Sequence, residues 1–428
     1  MRTDRVSTSS DERTTSISDG PAILTVGAQV RSGDGQRRGE REVRQPIPLS
    51  VPELSGNEWK YLKACLDTGW VSSAGPFVDR FERAVAAYVG AAYGVAVVNG
   101  TAGLHTALQV IGLRPNDEVL VPDLTFVAPV NAVRYCRAHP ILVDVNPQTW
   151  QMDVDKLAWF LRSQCVLRAR ACYNRRTGRR LRAIVPVHIL GLACDMDRIV
   201  ELAHQYSLQV VEDAAEALGV RVQGRHVGTF GDIGVLSFNG NKIMTSGGGG
   251  MLVTNHPRYA ERARYLTTQA KDDDIEYVHR EVGYNYRLTS LQAAVGLAQL
   301  ERLDEFIERK RHTARVYEEA LRGVDGLTTM PTPPGMEPTF WLYTVLLAPN
   351  VTLERRRSVI ARLNEHGIGA RPFWCPIHRL RPYQECQTVK LAHSFRLYKR
   401  GVSLPSSVAL RADDRERCIS VLKQVLQK

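Results

Sequence analysis

Between residues 95 and 254 the chain alternates short apolar runs with helix-like stretches, an order that few folds accommodate. The runs at 95–98, 118–122, 140–145, 183–188, 210–213, 235–238 and 251–254 read as buried strands. Those at 104–111, 129–137 and 258–266 read as helices between them. This alternation predicts an α/β fold with a mostly parallel sheet, covered by helices and linked by right-handed crossovers. Ligands bind such sheets at the carboxyl ends of the strands, so the polar residues ending each run are the candidates for chemistry.

The run Val235-Leu236-Ser237-Phe238 leads through Asn239, Gly240 and Asn241 to Lys242, and glycines follow at 247–250. A lysine in such a bend is either a surface residue of a Gly-rich turn or, where desolvated, a neutral amine able to attack carbonyl carbon. The run Val210-Val211-Glu212 ends in Asp213 and turns into small residues around Glu216. A lysine and an aspartate on neighbouring strands are what pyridoxal phosphate needs. The lysine binds its aldehyde, and the aspartate holds a proton on its ring nitrogen.

Other strand ends carry weaker signals. Asn99-Gly100-Thr101-Ala102-Gly103 joins a strand to a helix start, where free amides and the helix dipole suit a phosphate, although many α/β turns look alike. Phe126 is either a stacking partner for a flat ring or a core phenylalanine. Trp70 and Ser72 lie in a turn-rich loop that suits packing and sugar hydroxyls equally. His188 ends a further strand and is a candidate for a supporting position, while Arg371 and His378 belong to a C-terminal stretch able to reach a cleft.

Length and composition bound the rest. The 428 residues suffice for two or three domains. Residues 1–45 are polar and poor in aliphatics, so they read as a disordered extension. Residues 46–305 read as a large domain holding the sheet, and 306–428 as a smaller α+β domain. One long helix, apolar at 291, 294, 298, 303 and 307, links them. No apolar run approaches the ~20 residues of a membrane span. The N-terminal residues lack a basic region followed by an apolar core, so no secretory leader is expected, and the eight scattered cysteines form no C-x-x-C pair. The expectation is a cytoplasmic protein with reduced thiols, no membrane partner and no metal. The three aspartates at 272–274 read as a solvated turn. Much of the net charge of +11 comes from seven arginines between 168 and 182. A phosphorylated ligand, nucleic acid or a solvated loop each suits such a run, but no base-reading module accompanies it, which argues against nucleic acid.

Lysine, aspartate, phosphate turn and aromatic occur in an order that resembles the fold-type-I pyridoxal-phosphate aminotransferases of the DegT/DnrJ/EryC1/StrS group, over roughly residues 46–428. The stretches Leu49-Ser50-Val51-Pro52, Gly56-Asn57-Glu58-Trp59-Lys60-Tyr61, Thr68-Gly69-Trp70-Val71-Ser72-Ser73, Thr267-Thr268-Gln269-Ala270-Lys271-Asp272-Asp273 and Gly283-Tyr284-Asn285-Tyr286-Arg287 look closest to the legionaminic-acid-pathway type. The resemblance implies an aspartate-aminotransferase-like fold and a homodimer with shared active sites. Lys242 would bind the cofactor and shuttle a proton, and Asp213 would pair with the ring nitrogen. Gly100, Thr101, Ala102 and Ser237 would hold the phosphate, Phe126 would stack on the ring, and Asn285 would reach the neighbouring subunit's phosphate. Glu216 stands where many relatives have glutamine beside the ring hydroxyl, a departure that leaves its role open. Trp70, Ser72, His188, Arg287, Arg371 and His378 are the substrate candidates.

The implied reaction moves nitrogen from L-glutamate to C4 of a nucleotide-linked 4-keto-6-deoxy-hexose for surface-polysaccharide or nonulosonic-acid sugars. UDP with a C2 acetamido group is expected, and GDP-4-keto-6-deoxymannose, as in perosamine formation, is the alternative. A dehydratase on the same fold would carry histidine in place of Lys242. A nucleic-acid-binding regulator would have no reason to keep Lys242, Asp213, Thr101 and Ser237 together.

Overall fold

A computed structural model describes residues 45–273 and 275–427; the polar extension expected over 1–45 lies outside them except for residue 45. The apolar runs assemble into one large sheet. Its main path is Tyr93–Val97, Gly250–Thr254, Ile233–Ser237, Gln209–Asp213, Arg180–Ile184, Glu118–Pro122, His139–Val143 and Gln387–Val389. All neighbours from Ile233–Ser237 onward are parallel, and Gly250–Thr254 runs antiparallel to both of its neighbours. The central residues of most of these strands are apolar because both faces are covered. Val119, Val121, Val211 and Val235 face the helices Gly100–Val110, Ala128–Tyr135 and Pro257–Thr267. On the opposite face, Leu120 and Val210 pack toward Val154–Gln164 and Met196–Gln205, and Leu236 toward Pro76–Val89 and Ser290–Leu300.

Beyond residue 320 the chain builds a second, antiparallel sheet, in the order Leu327–Thr328, Thr344–Leu347, Gly401–Ser403 and Arg371–Pro372. Helices Leu303–Leu321, Leu353–Glu365 and Ala412–Leu426 share its apolar core. The strand Gln387–Val389 returns to the edge of the large sheet, so residues 45–428 form one compact unit.

Three elements differ from the sequence reading. The long helix is two helices, Ser290–Leu300 and Leu303–Leu321, with Arg302 at φ −114° and ψ 6° between them. Polar side chains pin the break: buried Gln299 donates to the Glu53 carbonyl and the Glu58 carboxylate, and Glu301 accepts from Asn57 and Tyr61. The strand expected at 183–188 begins inside the arginine run, at Arg180. Arg180 pairs with Asp117, Arg182 donates to the Ile111 carbonyl and Arg175 to the Cys165 carbonyl. Arg180 and Arg182 bind the amino-terminal end of the sheet, the end opposite Lys242, and Arg168 and Arg170 belong to a β-hairpin (Cys165–Arg168 with Ala171–Asn174). The strand expected at 370–374 shrinks to Arg371–Pro372.

Asp144, at the end of His139–Val143, ties the large sheet to the returning C-terminal segment. It accepts from Lys156 at 2.5 Å, the amides of Ala392 and Ser394 at 2.7 and 2.8 Å, and the Ser394 hydroxyl at 2.6 Å. Burial pushes this carboxyl up, but these donors more than offset it and hold it at about 2. A depressed folded value contributes stability that is complete above the ordinary carboxylate range and lost as pH falls from about 4 toward 2. Asp144→Asn should therefore lose about 2 kcal/mol at neutral pH and show a flatter stability profile over that acid window. Chemical denaturation at several pH values measures both.

Candidate active site

The carboxyl ends of the parallel strands open into a cavity of about 310 Å³. Asp213, the last residue of its strand, lies on the cavity wall at 4% exposure, with its carboxylate accepting the Ala215 amide at 3.1 Å. Burial raises its pKa, opposed by the Ala215 amide, Lys242 and His188. Lys242 enters the same cavity, its Nζ 3.5 Å from Glu216 Oε1 and 4.3 Å from the centroid of the Trp341 ring. Glu216 also accepts the Leu190 amide at 2.9 Å. Its pKa is likewise raised by burial, which Lys242 and the Leu190 amide oppose.

At one side of the cavity the helix Gly100–Val110 begins, capped by Asn99, which takes the Ala102 amide on its side chain and the Gly103 amide on its carbonyl. Helix geometry leaves the Gly100 and Thr101 amides open toward a ligand. Gly100 is required for this approach, since a Cβ there would lie 3.1 Å from the Ser237 Cβ. Ser237, Thr101 and the helix start thus face one space, a ready anion cradle. Nearby, the Thr125 hydroxyl is buried without a partner, and Phe126 lies on the wall at 52% exposure.

Of the residues singled out from sequence, Gly100, Thr101, Phe126, Asp213, Glu216, Ser237, Lys242 and Arg371 line this cavity. Ala102 does not, because its amide is spent on Asn99. Asn285 and Arg287 lie on an exposed segment bridged to Thr268 and Val97. Trp70 and Ser72 sit beside the start of Ser290–Leu300, with the Ser72 carbonyl accepting the Ser290 amide. The His378 ring is bound to Asp123 at 2.8 Å. His188 is fully buried: its Nδ1 accepts the Cys194 amide at 3.1 Å, which leaves Nε2–H to donate to Glu212, also at 3.1 Å. None of these five side chains (Trp70, Ser72, His188, Arg287, His378) reaches the cavity of its own chain.

Sequence reasoning missed Trp341, Trp374, Leu49 and Asn241, all of which line the site. The two indoles are parallel to within 5°, and Trp341 donates its N–H to the Asn241 carbonyl at 2.6 Å. Asn241 adjoins Lys242 in sequence and was there to be found. The tryptophans come from loops beside the second sheet, and no local pattern points to them.

Residues 52–423 match the model of the DegT/DnrJ/EryC1/StrS aminotransferase family. The chain belongs to this family. It is a pyridoxal-phosphate-dependent aminotransferase of fold type I. It is 41% identical to a GDP-perosamine synthase of Caulobacter vibrioides, over 89% of this chain and 98% of that one. To a GDP-perosamine synthase of Escherichia coli O157:H7 it is 38% identical, over 85% and 94% of the two chains. The solved aminotransferase TlmJ from Streptoalloteichus hindustanus superposes with a TM-score of 0.80 at 30% identity, covering 89% and 99%.

The residues present fit this cofactor. The helix start with Ser237 suits its phosphate, buried Asp213 suits a protonated ring nitrogen, and Lys242 lies in reach of an aldehyde between them. His188 supports the site from behind, through Glu212. His188→Ala leaves the buried Glu212 carboxylate and the Cys194 amide short of a partner each, which should cost about 3 kcal/mol. The melting temperature should fall accordingly, with L-glutamate saturating at an unchanged concentration.

Proposed function

We propose that this enzyme transfers the amino group of L-glutamate to the C4 ketone of a nucleotide-linked 4-keto-6-deoxy-hexose, for surface-polysaccharide sugars. The observation that carries this reading is the convergence of Lys242, Asp213 and the Gly100–Ser237 anion cradle on one cavity. Pyridoxal phosphate supplies an aldehyde that exchanges amines and a ring that takes up the electrons of a broken C–H bond. Lys242 Nζ would hold that aldehyde and would carry a proton away from the donor's α-carbon and toward the acceptor's C4. Asp213 would hold the ring nitrogen's proton. Thr101, Ser237 and the open helix amides would hold the phosphate, and Phe126 would stack on the ring.

Glu216 faces the same small space as Asp213, and its raised pKa suits a neutral acid that donates to the ring oxygen. Leu49, Trp341 and Leu342 keep the amine of Lys242 among apolar groups. Arg371, exposed at the mouth, is placed for the diphosphate or for the carboxylate of glutamate. Asn285, exposed and outside its own chain's cavity, is available to a second copy, so the working unit in this reading is a homodimer. No helix among the described residues is long and apolar enough to cross a membrane; we place the enzyme in the cytoplasm, where sugar nucleotides are made.

Two relatives named GDP-perosamine synthase, each matched over most of its length, favour a GDP-linked 4-keto-6-deoxymannose as acceptor. The stretches at 49–52, 56–61, 68–73, 267–273 and 283–287 favour a UDP-linked 2-acetamido sugar. The purified protein with pyridoxal phosphate should show a visible band that L-glutamate abolishes. Lys242→Ala should lower turnover by about 100-fold or more. Offering each 4-keto sugar nucleotide to the aminated enzyme then identifies the acceptor as the one that restores the band. A wild-type protein that stays colourless with the cofactor, or that neither sugar restores, overturns the proposal.

A further inference from the structure

Lys310, in the helix Leu303–Leu321, is 3% exposed and has no carboxylate partner among the described residues. Its ammonium donates to two backbone carbonyls only, those of Trp341, at 2.9 Å, and Ser406. Burial pulls its pKa down to about 7. A buried ammonium without a counter-charge is a costly way to fill a core, and an apolar residue of similar volume would serve stability as well. What the ammonium provides is geometry, because the two carbonyls belong to different segments of the cavity wall.

The first segment presents Trp341 and Leu342 to the cavity. Trp341 lies over the Lys242 amine and binds the carbonyl of Asn241, the residue before it. The second segment follows the strand Gly401–Ser403. Ser406 there donates its amide to Leu49, itself a cavity residue, and its hydroxyl accepts the Tyr343 amide. Tyr317, two turns along the same helix, donates to the Pro405 carbonyl at 2.9 Å and holds that segment from a second point. Leu49, Trp341 and Leu342 therefore hang on contacts that meet at one ammonium, and Lys310 itself touches none of the reacting space.

We propose that Lys310 is a positioning residue for the transfer reaction, setting the Trp341 ring over the amine of Lys242 through the Trp341 carbonyl. The inference rests on Lys242 being the reactive amine. The negative face of an indole stabilises positive charge on that nitrogen, and a ring displaced by an ångström or more does so less well. Of the groups that hang on the clamp, Trp341 is the one whose ring centroid stands 4.3 Å from the Lys242 Nζ, so losing the clamp should act on Lys242 through Trp341, and that distinguishes a positioning role from a purely structural one.

The test uses full-length enzyme loaded with pyridoxal phosphate, comparing wild type with Lys310→Met, Trp341→Leu and the double variant. Two quantities are read: the pH midpoint of the bound cofactor's visible band, and the rate at which saturating L-glutamate removes it. Lys310→Met should move the midpoint to lower pH by about half a unit or more and slow the glutamate step about tenfold. Cofactor affinity should stay within about threefold of wild type. Trp341→Leu should do the same, and the double variant should be no worse than Trp341→Leu alone, since both act on one contact. A Lys310→Met enzyme with the wild-type midpoint and rate, or a double variant whose effects add, overturns the proposal. Should Lys310→Met fail to fold, Lys310→Leu, which likewise removes the donor, is read in the same way; failure of both makes Lys310 a requirement of the fold and also overturns it. A wild type without a visible band refutes the assignment of Lys242 instead, so the two failures are distinct.

Discussion

Two buried carboxylates and one amine set the electrostatics on which this site depends. Asp213 and Glu216 are both raised by burial, and the charge of Asp213 raises Glu216 further; Lys242 opposes the rise in each. With both acids ionised the cavity is one positive charge short, and a single ammonium cannot satisfy two carboxylates in a low-dielectric space. A ring nitrogen protonated against Asp213 would answer one of the two carboxylates, and Glu216, whose rise the charge of Asp213 adds to, is the acid better able to keep a proton. The helix start at Gly100, which would receive the cofactor's phosphate, offers partial positive charge to an anion. The cavity is thus divided into a cation-seeking end and an anion-seeking end, with the amine between them.

The acidic end is held by a shell that does not line the cavity. Glu212 precedes Asp213 and points to the other face of the sheet, where it takes the amides of Gly228 and Gly231 at 2.7 and 2.6 Å and the imidazole of His188. The His188 amide in turn donates to the Asp213 carbonyl, and the Asp213 amide to Pro186. Alternation along one strand gives a carboxylate for chemistry and, one residue earlier, a carboxylate for structure. The second is satisfied by donors on three sides, which is why it can be fully buried.

Much of this was legible in the sequence, for a physical reason. Strands buried on both faces are continuously apolar, so 118–122, 210–213 and 235–238 declared themselves and their ends marked Asp213 and Ser237. The helix start at Gly100 followed from a local turn. The rest was settled by contacts distant in sequence. Nothing near residue 301 breaks a helix; the break follows from Gln299 and Glu301 binding partners some 240 positions away. The seven arginines at 168–182 suited a phosphorylated ligand, nucleic acid or a solvated loop, but Arg180 and Arg182 bind Asp117 and the Ile111 carbonyl across the sheet. From its strand end His188 read as a candidate for a supporting position, and it stood among the substrate candidates as well because a strand end does not reveal which way its side chain turns.

The division of labour between the two sheets bears on how substrate choice can vary within one chemistry. The large sheet supplies Asp213, Ser237 and, just past its strands, Lys242, groups whose positions a parallel sheet holds rigidly. The second sheet and its loops supply Trp341, Trp374, Arg371 and Ser403, which line the same cavity. Changes in that wall alter the shape offered to a sugar nucleotide without moving the amine, provided the wall stays anchored to the helix behind it. The anchor is backbone-directed: Lys310 binds carbonyls, and Ser406 binds amide and carbonyl groups, so the clamp does not depend on which side chains the wall presents. A clamp made to the backbone lets the wall residues vary while the Lys242 environment stays the same.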